Sequence, residues 1–281
     1  MMSTVPDETS FYRRQVVLPE IGATGQARLK AARVLVIGAG GLGSPLLMYL
    51  AGAGVGTLGF ADYDCVEPSN LHRQILHGVD RLDMPKVRSA ALTLARINPH
   101  VRLVEHAVPV NAENADALVA QYDIVADGCD NFATRDAVHA ACRRAGIVLV
   151  SAAVQLADGI LTTFKSHLGG SHPCFRCLYP EVPALAPSCS EIGVLGPAVG
   201  VMGALQAIEV IKEILGVEPS LSGTLAMYDA WSCEVTKVEL PHRENCPCCG
   251  AAQEGKAGQP PVTGGNRTTS SVGVSGCDFS T

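Results

Sequence analysis

Apolar positions in the first half of the chain alternate between two rhythms. Short runs that read as buried strands are Arg33–Ile37, Thr57–Asp64, Val101–Val108, Tyr122–Asp127 and Ile147–Val154. Between them lie segments with apolar residues at helical spacing: Gly43–Ala53, Asp83–Ile97, Ala112–Ala120 and Asn131–Ala145, with Gly22–Ala32 as a short amphipathic helix ahead of the first strand. Pro85 falls near the start of its helix, where proline is tolerated. Strand and helix in strict alternation predict a parallel, doubly wound α/β sheet.

From about Leu156 the rhythm changes. "GILTTFKS" and "GTLAMYDAWSCEVTKVEL" read as antiparallel strands flanking a helix over Ile192–Leu215. That helix is the most apolar stretch. Its purely apolar part is shorter than the ~18 residues a membrane span needs. Gly193, Gly196, Gly200 and Gly203 interrupt it, and Gln206 and Glu209 follow. A buried core helix is expected, with glycines that let another backbone come close. From Ala251 onward Gly, Ser, Thr and Pro dominate, so residues 251–281 are expected to form a disordered tail, and residues 1–10 a mobile N-terminus.

Composition narrows the class. The chain has 281 residues and a formal net charge of -6, with no basic stripe, so nucleic acid is not an expected partner. "MMSTVPDETSFYRRQ" has no apolar signal core, so a cytoplasmic protein with neither secretion nor a membrane partner is expected. Eleven cysteines in such a chain point to metal binding or thiol chemistry rather than a disulfide framework.

In doubly wound sheets ligands sit beyond the carboxyl ends of the strands. The first strand leads into Gly38-x-Gly40-x-x-Gly43, with a further Gly41 between. Glycines there allow a tight turn and bring backbone N–H groups against phosphate at a helix N-terminus. Asp62, near the end of the next strand, suits ribose hydroxyls. The alternative is a turn used only for packing, and the glycines do not separate NAD from ATP. Asn70, Arg73 and Gln74 follow closely, and Lys86 comes a little later. Two cations suit a triphosphate under attack better than a nicotinamide, although each alone reads equally as a solvated surface group. Asp130, after the fourth strand, either holds magnesium or caps the helix beginning at Asn131.

Cys174-x-x-Cys177 and Cys246-x-x-Cys249 have the spacing of tetrahedral zinc ligands joining distant parts of the chain. Cys248 offers a competing register, and His172 and His242 are fallback ligands. A redox dithiol is the alternative. Cys189 lies among prolines and serines and is either a loop nucleophile or an inert thiol.

Taken in order, "YRRQVVL", "VLVIGAGGLGSPLLMYLAGAGVG", "DYDCVEPSNLHRQ", "PKVRSA", "DGCDN", "PCFRC", "SCSEIGV", "MYDA" and "CPCC" closely resemble the ThiF/MoeB/HesA family of ubiquitin-activating-enzyme-like adenylyltransferases. The likeness runs from about Phe11 to Gly250. It implies a Rossmann-like adenylation domain over 11–250. The nucleotide-binding half is about 30–155, and the carrier-binding half with a structural zinc is about 156–250. It implies ATP and Mg2+, and a homodimer that adenylates the terminal carboxylate of a ubiquitin-like sulfur carrier ending in Gly-Gly. A persulfide donor then supplies sulfur. By motif position Gly41 and Asp62 contact nucleotide, and Ser69 belongs to the same set. Asn70, Arg73 and Lys86 serve the phosphates. Asp130 serves magnesium, with Asn131 beside it. Arg14 matches an arginine supplied across the dimer. Cys189 matches the family's loop cysteine. Cys174, Cys177, Cys246 and Cys249 match the zinc ligands. Larger relatives add a rhodanese domain; here a polar tail follows Gly250, so sulfur is expected from a separate protein.

Overall fold

The five apolar runs of the first half assemble as parallel strands in a computed structural model, which describes residues 5–181 and 193–250. They are β1 (Arg33–Ile37), β2 (Thr57–Ala61), β3 (Arg102–His106), β4 (Ile124–Asp127) and β5 (Val148–Gln155). The chain then turns back as β6 (Asp158–Phe164), β7 (Thr224–Asp229) and β8 (Glu234–Glu239), each antiparallel to its neighbour. All eight form one sheet in the order β3-β2-β1-β4-β5-β6-β7-β8. The parallel part is the expected doubly wound half, and the antiparallel part extends it.

Helices cover both faces. One core gathers α2 (Gly22–Ala31), α3 (Gly43–Ala53), α4 (Lys86–Ile97) and α8 (Gly196–Leu215) around Leu46, Leu50, Leu58, Leu94 and Met202. The other packs α5 (Ala115–Val119), α6 (Phe132–Ala145) and α7 (Phe175–Leu178) around Leu35, Val119, Val138 and Phe175. The short α1 (Glu8–Phe11) begins with Asp7 accepting from Ser10 N, and Glu8 pairs with Lys30 at 2.6 Å.

Some boundaries move for local reasons. β2 ends at Ala61, and Asp62 N just beyond it still donates to the His106 carbonyl of β3. The helix read from Asp83 starts only at Lys86, since Asp83 is left-handed (φ 64°) and Pro85 is extended. The helix read from Ile192 begins at Gly196, with Pro197 in its first turn. No helix among the described residues is long and apolar enough to cross a membrane. The expected close approach occurs at Gly203, where a Cβ would lie 2.6 Å from the Leu42 carbonyl oxygen and 2.4 Å from Pro45. This contact seats α8 against the start of α3.

Candidate active site

The turn after β1 needs its glycines for two separate reasons. Gly38 is left-handed (φ 91°), and a Cβ on Gly43 would sit 2.0 Å from the Gly38 carbonyl oxygen. The turn therefore folds back on itself. Ala39, at its apex, is held twice: its N–H donates to Asp62 Oδ2 at 2.9 Å, and its carbonyl bonds to His77 Nε2 at 2.9 Å. The other nitrogen of His77 meets Ser89 Oγ on α4 at 2.9 Å. Burial lowers the His77 pKa, so the imidazole stays neutral and ties the turn to the helix that carries Lys86.

The turn forms one wall of a cavity of about 890 Å3 at the carboxyl ends of the strands. Gly38, Gly40, Gly41, Asp62, Arg73, Lys86, Asp130 and Asn131 all line it. Gly43, Ser69 and Asn70, also expected at the nucleotide, do not line it. Buried Asn70 ends a short 3-10 turn (Pro68–Asn70), and its carbonyl accepts from Arg73 N and Gln74 N. The Ser69 carbonyl accepts from Arg73 Nη1 at 2.9 Å. This pair aims Arg73.

Charge in the cavity is arranged in layers. Both oxygens of Asp62 accept backbone N–H bonds, from Ala39 and from Asp64. Burial raises the Asp62 pKa, and nearby Lys86 pulls it back. The Lys86 ammonium is buried and reaches Asp64 Oδ2 at 2.8 Å. The rival reading of Asp130 as a helix cap is overturned. Asn131 is the cap, its Oδ1 accepting from Thr134 N at 2.8 Å, and this leaves the Asp130 carboxylate in the cavity wall. An exposed carboxylate at a strand end, facing a cation-lined cavity, is a hard oxygen donor of the kind magnesium takes.

Sequence reading missed several wall residues. Gln74, whose sequence position suggests no role, is 4% exposed, and its carboxamide oxygen has no hydrogen-bond partner. Arg135, buried beneath the loop after β4, gave no signal in its local sequence. The cavity also runs on past the nucleotide-sized region over β5–β8, along Gln155, Ile160, Met227 and Thr236. The exposed alternate positions on β7, Met227 and Asp229, were the available clue.

One expected residue stands elsewhere. Arg14 is exposed on the segment between α1 and α2 and is not part of this wall. Cys189 lies outside the described residues.

The four expected metal ligands do meet. The Sγ atoms of Cys174, Cys177, Cys246 and Cys249 lie within 4.8 Å of one another, all four residues buried. Cys174–Cys246 and Cys177–Cys249 are each 3.5 Å apart. Zn–S bonds of about 2.3 Å in a tetrahedron place sulfurs about 3.8 Å apart, so the set fits. Backbone N–H groups of Arg243 and Cys248 point at Cys177 and Cys246 sulfurs at 3.5 Å, as around a thiolate. Hydrogen bonding to Cys248 holds the Cys174 thiol far above its ordinary range, and burial pushes Cys249 up to about 12. A cation bound among them would offset that resistance to ionisation at Cys174 and Cys249. Cys248 is half-buried beside the group. His172 bonds instead to Ser222 Oγ and His242 to the Cys249 carbonyl.

Comparison with known proteins agrees with this geometry. The family model described as ThiF family matches residues 12–248. "Adenylyltransferase and sulfurtransferase MOCS3" of Xenopus laevis is 46% identical over 246 residues, covering 86% of this chain and 54% of that protein. The chain thus spans about half the length of such relatives. "Sulfur carrier protein adenylyltransferase" of Thermus thermophilus is 42% identical over 253 residues, covering 89% of this chain and 93% of the relative. Among solved structures, E. coli MccB in complex with MccA-N7isoASN superimposes with a TM-score of 0.74 at 24% identity, covering 87% of this chain and 75% of the other; this shows a shared fold.

Proposed function

This chain belongs to the ThiF family, and from that premise we propose that it is an ATP-dependent adenylyltransferase. Its substrate is the C-terminal glycine carboxylate of a ubiquitin-like sulfur carrier ending in Gly-Gly. The observation that carries the reading is the convergence of the glycine turn, Asp62, Arg73, Lys86 and Asp130 on one cavity. The names of the Xenopus and Thermus relatives support it.

The chemistry follows from charge. A terminal carboxylate is ionised at neutral pH, so it needs no base to become a nucleophile. Its difficulty is repulsion from the triphosphate. Arg73 and Lys86 offset that repulsion and the negative charge that develops as pyrophosphate leaves. The carboxylate oxygen bonds to the α-phosphorus, the bond to pyrophosphate breaks, and an acyl-adenylate remains. The turn at Gly40–Gly41 presents backbone to the phosphates and Asp62 accepts from the ribose. Asp130 would hold magnesium, which when bound neutralises phosphate charge. The cavity beyond Gln155, over β5–β8, has room for an extended Gly-Gly tail. The terminal sulfur of a persulfide donor would then attack the acyl carbon and displace AMP, and a second thiol, itself oxidised to a disulfide with the donor, would cleave the resulting acyl disulfide to release the thiocarboxylate. Two cations beside the ribose acid suit a triphosphate under attack better than the neutral nicotinamide of NAD.

We also assign zinc to Cys174, Cys177, Cys246 and Cys249, as a structural ion. All four positions are taken by protein, so it offers no site for substrate. A cysteine set that holds a metal must stay reduced, which suits a reducing compartment, and a cytoplasmic location is part of this proposal.

The test is ATP–pyrophosphate exchange. It is expected only with a Gly-Gly-ending carrier present. Arg73→Ala and Asp130→Ala are each expected to lower it by about 10²–10³-fold, with the far-ultraviolet circular dichroism unchanged. Exchange at the normal rate in both variants would remove the site assignment.

A further inference from the structure

The Asp130 carboxylate sits on a loop that is gripped from beneath. Arg135, in the first turns of α6, sends its guanidinium back under residues 127–130. Nη1 donates to Asp127 Oδ2 at 3.0 Å and to Ser151 Oγ at 3.2 Å. Nη2 donates to the Ala152 carbonyl at 2.9 Å and to the Cys129 carbonyl. Asp127 Oδ1 in turn accepts from Cys129 N at 3.0 Å. Cys129 is therefore held at both its N–H and its carbonyl by one buried ion pair. On the far side of Asp130, Asn131 is locked as the cap of α6. Asp130 is left between two immobilised residues with its carboxylate free to face the cavity.

Such an arrangement is expensive. Taking a guanidinium and a carboxylate out of water is costly, and apolar packing would often serve stability as well. The planar fork of arginine does what packing cannot: it reaches a carboxylate, a hydroxyl and two carbonyls at once. We infer that Arg135 is a positioning residue for the metal carboxylate, acting through Cys129 to aim Asp130. This rests on the assignment of magnesium to Asp130 above.

The test uses the full chain and reads binding rather than turnover. ATP affinity is measured by calorimetry across a series of Mg2+ concentrations, and adenosine affinity without metal is measured alongside. Arg135→Lys keeps the charge but loses the fork. It is expected to raise the Mg2+ concentration for half-maximal ATP affinity about tenfold, the range for losing an outer-shell partner. Adenosine affinity, set by the turn and Asp62, is expected to stay unchanged. Asp127→Asn loosens the same grip from the other side, is expected to give the same shift, and decides the matter should Arg135→Lys not fold. Asp130→Asn is expected to raise the requirement as well, and Asp130→Asn with Arg135→Lys is expected to be no worse than Asp130→Asn alone. A normal Mg2+ requirement in Arg135→Lys and Asp127→Asn, or additive losses in the double variant, would overturn the inference. A normal requirement in Asp130→Asn would instead overturn the magnesium assignment on which it stands.

Discussion

His139 illustrates how a single buried group leaves a mark on the whole protein's pH response. It lies in α6 against Phe164 and Phe175, with Nε2 3.3 Å from Ser166 Oγ and Nδ1 without a partner. Burial lowers its pKa to about 4. Above its unfolded value of about 6.5 the residue is neutral in both states and contributes nothing to pH dependence. As pH falls below that, the unfolded chain takes up a proton that the folded chain refuses. Stability is then lost at up to about 1.4 kcal/mol per pH unit, about 3 kcal/mol by pH 4. Urea unfolding at pH 7 and pH 4.5 is expected to show this loss, and His139→Gln is expected to reduce it. An unchanged pH slope in that variant would show the loss to arise elsewhere.

At the level of elements, sequence and structure agree where a local pattern is enough. The glycine turn, the acid after β2 and the two Cys-x-x-Cys pairs were legible because spacing alone constrains the backbone or the ligand geometry. Asp130 was ambiguous because aspartate and the following asparagine are both good caps; only the backbone decides that Asn131 takes the role. Arg135 and His77 were not legible, since each acts on residues distant in the chain, such as Ser151 and Ala39. The four-residue α7 was too short to show periodicity. Yet α7 joins two sites. Its Cys177 belongs to the sulfur cluster, Arg176 forms a paired bond to Asp136 on α6, and Tyr179 just beyond stacks edge-on against Phe132 at 5.1 Å. Metal analysis is expected to find about one zinc per chain. Cys174→Ser is expected to lose it and to expose α7 to proteolysis first. A metal-free native protein would refute the assignment.

The whole molecule leaves apolar side chains on its surface. Val17 and Leu18 follow Arg14, and Tyr49 on α3 and Val201 and Ile208 on α8 are exposed as well. We propose that a second copy covers them and that Arg14 enters its neighbour's cavity. A mixing experiment separates this from action within one chain. Arg14→Ala and Asp130→Ala are each expected to be nearly inactive alone. If Arg14 crosses the dimer, half of the sites in each mixed dimer are intact, and random exchange of subunits restores about a quarter of the activity. If Arg14 acts in its own chain, every site carries a defect and nothing returns.

The four cysteines also change how the chain is connected. Cys174 and Cys246 stand 72 residues apart in sequence, and between them lie α8, β7 and β8. With metal bound this stretch becomes a closed ring. Closing a loop of that length removes freedom from the unfolded chain, about 4 kcal/mol by the reasoning applied to disulfides. The ring also makes unbroken backbone unnecessary for holding the hairpin in place. A single peptide bond cut within it leaves both pieces attached, through the sheet and through the metal.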